Sequence, residues 1–192
     1  MAALVRQSLR LSVAKKTVYG IRHGQAWHNV LFDDIGPCAY TSYQDTTLTA
    51  EGMQQAAMQK PPDVDLVLVS PLMRTLQTAE IMFPKTPQIA LESLKEYPQH
   101  IELCNKRSCA SLLIRCFPHV IFEDLETEFQ MWPMKVDHNE NVERVKSVIE
   151  SVSSRQIAIV THSTWLKYWM NGSLSGVPEL EHCRPYELKY TV

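Results

Sequence analysis

The chain has 192 residues, enough to bury a substantial core in one domain. Apolar residues make up 45% of it and charged residues 21%, with a net charge of −2 when histidine is neutral. That balance leaves no electrostatic footprint for nucleic acid or an anionic membrane, and no apolar run approaches the roughly 20 residues of a membrane span.

In chain order, residues 1–16 come first, with Arg6, Arg10, Lys15 and Lys16, Ser8 and Ser12, and no acid. They have a mild transit-peptide flavour, but the preferred reading is a short basic arm leading into a single domain, 1–192. Val18–Ile21 is a short apolar strand stopped by charge. Residues 30–47, rich in Asp, Thr, Tyr and Gly, are expected to form a long loop of the kind that covers a site. Thr49 N-caps an Ala/Gln/Met-rich helix closed by Pro61-Pro62. "DLVLVS" at 65–70 reads as a strand buried on both faces, followed by a helix over 71–82 with Pro71 in its first turn. A weaker strand at 88–91, a helix at 108–116 and a strand at 120–122 follow. Val142, Val145, Val148, Ile149 and Val152 fall at helical spacing within 139–153. "QIAIVTHS" at 156–163 is another buried strand, with a helix to about Met170, and "YELKYTV" at 186–192 alternates like an edge strand. Strands alternating with helices predict an α/β layered, mostly parallel sheet.

Ligands of such sheets bind beyond the carboxyl ends of the strands. Three strands end there in polar residues: Arg22-His23-Gly24, then Ser70-Pro71 with Arg74 one turn on, then Thr161-His162-Ser163. If these strands are neighbours, two arginines and two histidines converge. Arginine offers a planar fork matched to phosphate oxygens, helix N-termini add N–H donors, and a neutral imidazole can attack phosphorus. No carboxylate cluster with metal spacing is present, so the arginines would take the charge-neutralising role.

"RHGQAWHN", "SPLMRTLQTAEIM" and "IVTHS" resemble the three core motifs of the histidine phosphatase superfamily, the phosphoglycerate mutase-like proteins. "LTAEGMQQA" resembles that superfamily's segment after the first loop, and "CNKRS" and "WP…ENVERV" its eukaryotic phosphoglycerate mutase-like branch. The likeness runs from residue 17 to the end. It implies a three-layer α/β/α fold with a mostly parallel central sheet, and it assigns roles. His23 is the nucleophile that becomes phosphohistidine, Arg22 and Arg74 clamp the phosphoryl oxygens, His162 donates to the phosphoryl group, and Asn29 adds a hydrogen bond. Glu96 is the best match to the proton donor, with Glu92 and Glu102 as alternatives. His28 contacts the phosphate site or only shapes it. For His28 and Asn29 a capping or packing role competes with the functional one, as a surface carboxylate does for Glu96.

His100, His119, His138 and His182 read as surface residues. Trp165, Tyr168 and Trp169, at i, i+3 and i+4, read as core. Cys38, Cys104, Cys109, Cys116 and Cys183 are odd in number, irregular in spacing and preceded by no secretory signal. They match no zinc pattern, even with His119, and read as free thiols in a reducing compartment. The expectation is a cytoplasmic, metal-independent phosphatase needing no cofactor. Its partner is a small phosphorylated molecule or a phosphoprotein, with neither nucleic acid nor membrane. The alternatives are a phosphoglycerate mutase, distinguished by need for 2,3-bisphosphoglycerate, and a non-catalytic phosphate or phosphoprotein binder.

Overall fold

A computed structural model describes residues 15–97, 101–122, 125, 128–130, 132, 137–173 and 178–190. The arm up to residue 14, His100, the Pro after Trp132 and the tail 191–192 lie outside them. Among the described residues, six strands form one sheet: β1 (Thr17–Arg22), β2 (Leu66–Val69), β3 (Gln88–Ala90), β4 (Val120–Phe122), β5 (Gln156–Thr161) and β6 (Pro185–Leu188). Their spatial order is β4-β3-β2-β5-β1-β6, parallel throughout except for β6, which runs antiparallel along the β1 edge. The two most continuously apolar strands, β2 and β5, are interior and buried, as runs lacking a polar face require.

Seven α-helices accompany the sheet among the described residues: α1 (Trp27–Ile35), α2 (Cys38–Ser42), α3 (Ala50–Met58), α4 (Met73–Met82), α5 (Ala110–Cys116), α6 (His138–Ser151) and α7 (Ser163–Asn171). Alternation along the strands divides the core in two. Ile21, Val67, Val69, Ala158 and Val160 meet Ala56, Leu76, Ala79 and Leu113 from α3, α4 and α5. Val18, Leu66, Leu68, Ile157 and Ile159 meet Val145 and Ile149 of α6 and Trp165 and Leu166 of α7. The result is the expected three-layer α/β/α arrangement. Thr49 caps α3, its hydroxyl accepting the Gly52 N–H at 3.0 Å. Lys16 donates to the carbonyls of Ile149 and Val152 at the end of α6, where a cation also suits the helix dipole.

One expectation fails. Residues 30–47 are largely helical, in α1 and α2, rather than one long loop. Of the residue types that suggested a loop, Gly36 takes φ 58° just after α1, while Asp33 and Asp34 lie in the last turn of α1 and Tyr40 and Thr41 inside α2. The apolar residues that would have signalled helices remain partly outside, since Trp27, Phe32 and Ile35 are 40–50% exposed, so a buried-face pattern was hard to see.

Candidate active site

β1, β5 and β2 are neighbours, with Arg22 paired in register with Thr161 and Val69 with Val160. Their last residues therefore meet at one edge. There a cavity of about 410 Å³ is lined by Arg22, His23, His28, Asn29, Arg74 and Glu96, together with Tyr40, Tyr97, Glu102, Cys104, Asn105, Ser163, Thr164, Lys167 and Glu179. His162 is fully buried beside it, its ring 5.2 Å from that of His23.

The turn after β1 is held by close backbone approach. A Cβ on Gly24 would lie 2.5 Å from the Gly52 carbonyl oxygen, and one on Gly52 only 2.0 Å from that of Gln25. The "RHG" and "TAEG" glycines thus let the start of α3 press against the loop carrying His23. The Gly24 N–H is tied to the Thr78 hydroxyl at 3.1 Å.

His23 Nδ1 lies 2.7 Å from the Gly24 carbonyl oxygen. A carbonyl only accepts, so Nδ1 carries the hydrogen. Burial, then the positive charges of Arg74 and the neighbouring groups, hold this histidine well below its usual pKa. The ring is therefore neutral, and Nε2 carries the lone pair. His162 sets its Nε2 2.9 Å from the Ser70 hydroxyl, and burial followed by Arg74 lowers it likewise. His28 places Nδ1 against the Thr46 hydroxyl, and burial, Arg74 and Arg22 bring it down to about 2.

Arg74, 1% exposed, donates through Nη1 to the Cys104 carbonyl and through Nη2 to Asn105 Oδ1, both at 2.8 Å. Arg22 donates through Nη1 to Glu179 at 2.6 Å and to the Leu180 carbonyl at 2.7 Å. Among the described residues, three buried nitrogens here have no hydrogen-bond partner: Arg22 Nε, Arg74 Nε and His162 Nδ1. Buried polar atoms are rarely left so, and two arginine N–H donors beside a neutral imidazole suit an oxyanion. Asn29 reconciles its two readings: Oδ1 accepts the Ala26 N–H at 3.0 Å, capping α1, while its amide group is left to donate in the cavity it lines.

Glu96 accepts the N–H groups of Tyr97 at 3.0 Å and Thr164 at 3.2 Å. Burial raises its pKa against those bonds. Glu102 is also raised by burial, and Asn105 donates to it at 3.0 Å. Glu92 is removed from consideration: it lies outside the cavity lining and is ion-paired with Lys95 and Arg107.

Two of the four histidines read as surface residues lie elsewhere. His182 is half-buried, with its Nδ1–H donating to the carbonyl of His23 at 2.6 Å and its ring 5.7 Å from the His23 ring. The β-bridge between Arg22 and His182 brings them together, and no motif in "PELEHC" signals it. His138 is half-buried between Tyr97 and Tyr168, with ring centroids 4.4 and 4.9 Å away. Sequence reasoning also missed Tyr40, Lys167 and Glu179. Asn105 lay inside the quoted "CNKRS" without a role. All five cysteines are unpaired. Among the described residues no three His, Cys, Asp or Glu side chains are arranged to hold a metal ion, and no helix is long and apolar enough to cross a membrane.

This fold and site define a class. The chain belongs to the histidine phosphatase superfamily, branch 1, whose sequence pattern matches residues 18–190. Phosphoglycerate mutase-like protein 1 of Arabidopsis thaliana is 31% identical over 203 residues, covering 81% of this chain and 71% of its own. A probable phosphatase of Schizosaccharomyces pombe is 29% identical, with 87% and 85% covered. Among solved structures, the ecdysone phosphate phosphatase of Bombix mori in complex with tungstate superposes with a TM-score of 0.57 at 12% identity, with 89% and 88% covered. Phosphoglycerate mutase of Thermus thermophilus gives 0.53 at 18%, with 91% and 99% covered. At such identities these two structures speak to the fold alone.

Proposed function

We propose that this protein is a metal-independent phosphatase that hydrolyses small phosphate monoesters through a phosphohistidine on His23. The observation that carries the proposal is the hydrogen bond from His23 Nδ1 to the Gly24 carbonyl, which leaves Nε2 unprotonated in a cavity walled by two arginines. Nε2 attacks phosphorus, an N–P bond forms, and the P–O bond to the leaving group breaks. The departing alkoxide takes the proton of the Glu96 carboxyl, which burial keeps protonated to higher pH than an exposed glutamate. Water then attacks the phosphohistidine while the Glu96 carboxylate accepts its proton, and phosphate leaves as the N–P bond breaks.

Arg22 and Arg74 hold the phosphoryl oxygens throughout. With Ser70 donating to its Nε2, His162 carries its hydrogen on Nδ1, the atom left without a partner, and donates it to the charge that builds up in the transition state. Asn29 and His28 complete the wall. A cavity of about 410 Å³ suits a small molecule. The phosphatase and mutase names of the relatives accord with phosphoryl transfer.

The test is to quench turnover of a labelled monoester without acid and map the label. Phosphate on His23, in protein treated with EDTA, supports the mechanism. Label elsewhere, or activity that EDTA abolishes and zinc or magnesium restores, overturns it. Turnover that requires 2,3-bisphosphoglycerate would instead make the protein a mutase.

A further inference from the structure

Asp45 is a buried acid that this reaction scheme does not use. It is 5% exposed and sits at φ 45°, in the left-handed region that side chains other than Gly, Asn and Asp seldom enter. Both carboxylate oxygens are committed: Oδ1 accepts the Met73 N–H at 2.8 Å and Oδ2 the Ser108 N–H at 2.7 Å.

These two partners bracket Arg74. Met73 is the first residue of α4, immediately before Arg74. Ser108 ends the 104–108 stretch whose Cys104 carbonyl and Asn105 side chain grip the Arg74 guanidinium. One carboxylate therefore ties the root of the arginine to the segment that holds its tip. The residues on either side work on the same parts: Gln44 Nε2 donates to the Arg107 carbonyl at 3.0 Å, and the Thr46 hydroxyl meets His28 Nδ1. A buried carboxylate spent on two backbone N–H groups is costly unless the register it fixes matters.

We propose that Asp45 is a positioning residue: by fastening the first residue of α4 to the 104–108 segment, it sets the Arg74 guanidinium in the anion pocket. This rests on the phosphatase reading for what the pocket binds, though not for how Arg74 is held. A displacement of about 1 Å in a positioning group can cost on the order of a hundredfold, so loss of this tie is readable at the site.

Two variants separate positioning from simple support of the fold. Asp45→Gly removes the carboxylate and relieves the φ strain. Asp45→Asn keeps the shape and the tolerance for positive φ but presents an NH₂ to one of the two N–H donors. Thermal melts establish that each is folded at the assay temperature. Orthovanadate affinity is then measured by calorimetry, alone and combined with Arg74→Lys, and the guanidinium NMR signals of Arg74 are followed in arginine-labelled protein. Both variants are expected to lose about tenfold or more in vanadate affinity and to broaden or shift the Arg74 signals. On the Arg74→Lys background, where the held guanidinium is gone, Asp45→Gly should change affinity by less than roughly twofold. Wild-type vanadate affinity in Asp45→Gly with unchanged Arg74 signals would overturn the proposal, as would an equal loss with and without Arg74. If the wild-type protein binds no vanadate, the reading of the pocket falls, and the Arg74 signals alone decide the role of Asp45.

Discussion

The floor and the rim of the cavity are built differently. On the floor, His23, Arg74 and His162 are 3%, 1% and 0% exposed. They follow three adjacent parallel strands, β1, β2 and β5, so the register of the sheet sets their separation. On the rim, Tyr40 comes from α2, Lys167 from α7, Glu102 from the stretch after β3 and Glu179 from the approach to β6. These side chains are half-buried or exposed, and no shared ladder of hydrogen bonds coordinates them. The floor can carry a reaction because it moves only if the sheet moves. The rim can change piece by piece, which is how one fold serves many substrates.

If the floor carries the chemistry, damage there should be large. His23→Ala removes the attacking nitrogen and should lower kcat by about three orders of magnitude or more, since nothing else in the cavity replaces a covalent step. Steady-state assay of the purified variant checks this, and near wild-type turnover would break the comparison at its centre. Arg74→Lys keeps the charge but cannot satisfy both the Cys104 carbonyl and Asn105 Oδ1 while presenting a planar fork to phosphate. Losing a hydrogen bond to the charged ligand costs about 1.5–3 kcal/mol, so vanadate affinity should fall by roughly 10- to 150-fold in calorimetry.

The same contrast explains what could be read from the amino-acid order. Floor residues announce themselves because each ends an apolar run: "VYGIRHG", "DLVLVSP" and "IAIVTHS" set burial and chemistry side by side. Parallel strands then force these ends together, so the α/β/α layering and the convergence of Arg22, His23, Arg74 and His162 both followed. Rim residues carry no such mark. His182 reaches His23 only because the chain returns along the β1 edge with Cys183 at φ 60°, a turn that composition does not signal. Tyr40 was hidden in a stretch whose Asp, Thr, Tyr and Gly suggested a loop, while its helices keep large apolar residues outside. Glu92 and Glu96 differ by four residues and look alike, yet only the fold sends one to Lys95 and Arg107 and the other to the cavity.

Glu96 stands between floor and rim, and its effect should depend on the substrate. An alkoxide leaving group needs a proton, whereas nitrophenolate needs little help. Glu96→Gln should therefore cut kcat on an alkyl phosphate far more than on p-nitrophenyl phosphate. Burial raises the Glu96 pKa, and in the proposed scheme the protonated form is the acid. Alkyl-phosphate turnover should thus fall as pH rises through that pKa, and the variant should lose this limb. Burial and then Arg74 hold His23 and His162 well below the ordinary histidine range, so both stay neutral and activity should persist at mildly acid pH. Glu102 is the control: a selective alkyl loss in Glu102→Gln, with equal losses on both substrates for Glu96→Gln, would transfer the role to Glu102.

The smallest effect should come from the rim. Glu179 places one carboxylate oxygen 2.6 Å from Arg22 Nη1, with Ser163 donating to it at 3.3 Å, and the other 2.6 Å from Lys167 Nζ. Burial pushes its pKa up, but the Lys167 hydrogen bond and the charge of Arg22 together bring it below its ordinary value, so it is ionised at neutral pH. In the proposed scheme an arriving phosphate uses the same Arg22 and meets the same negative charge. Glu179→Gln should therefore tighten vanadate binding and lower KM, leaving kcat nearly unchanged because no floor group has moved. The side chain is 65% exposed, and exposed pairs contribute only about 0.2–1 kcal/mol. The gain should accordingly be no more than about fivefold and should shrink in high salt. A fall in kcat with KM unchanged would mean that Glu179 takes part in the reaction itself, and the boundary between floor and rim would have to be redrawn to include it.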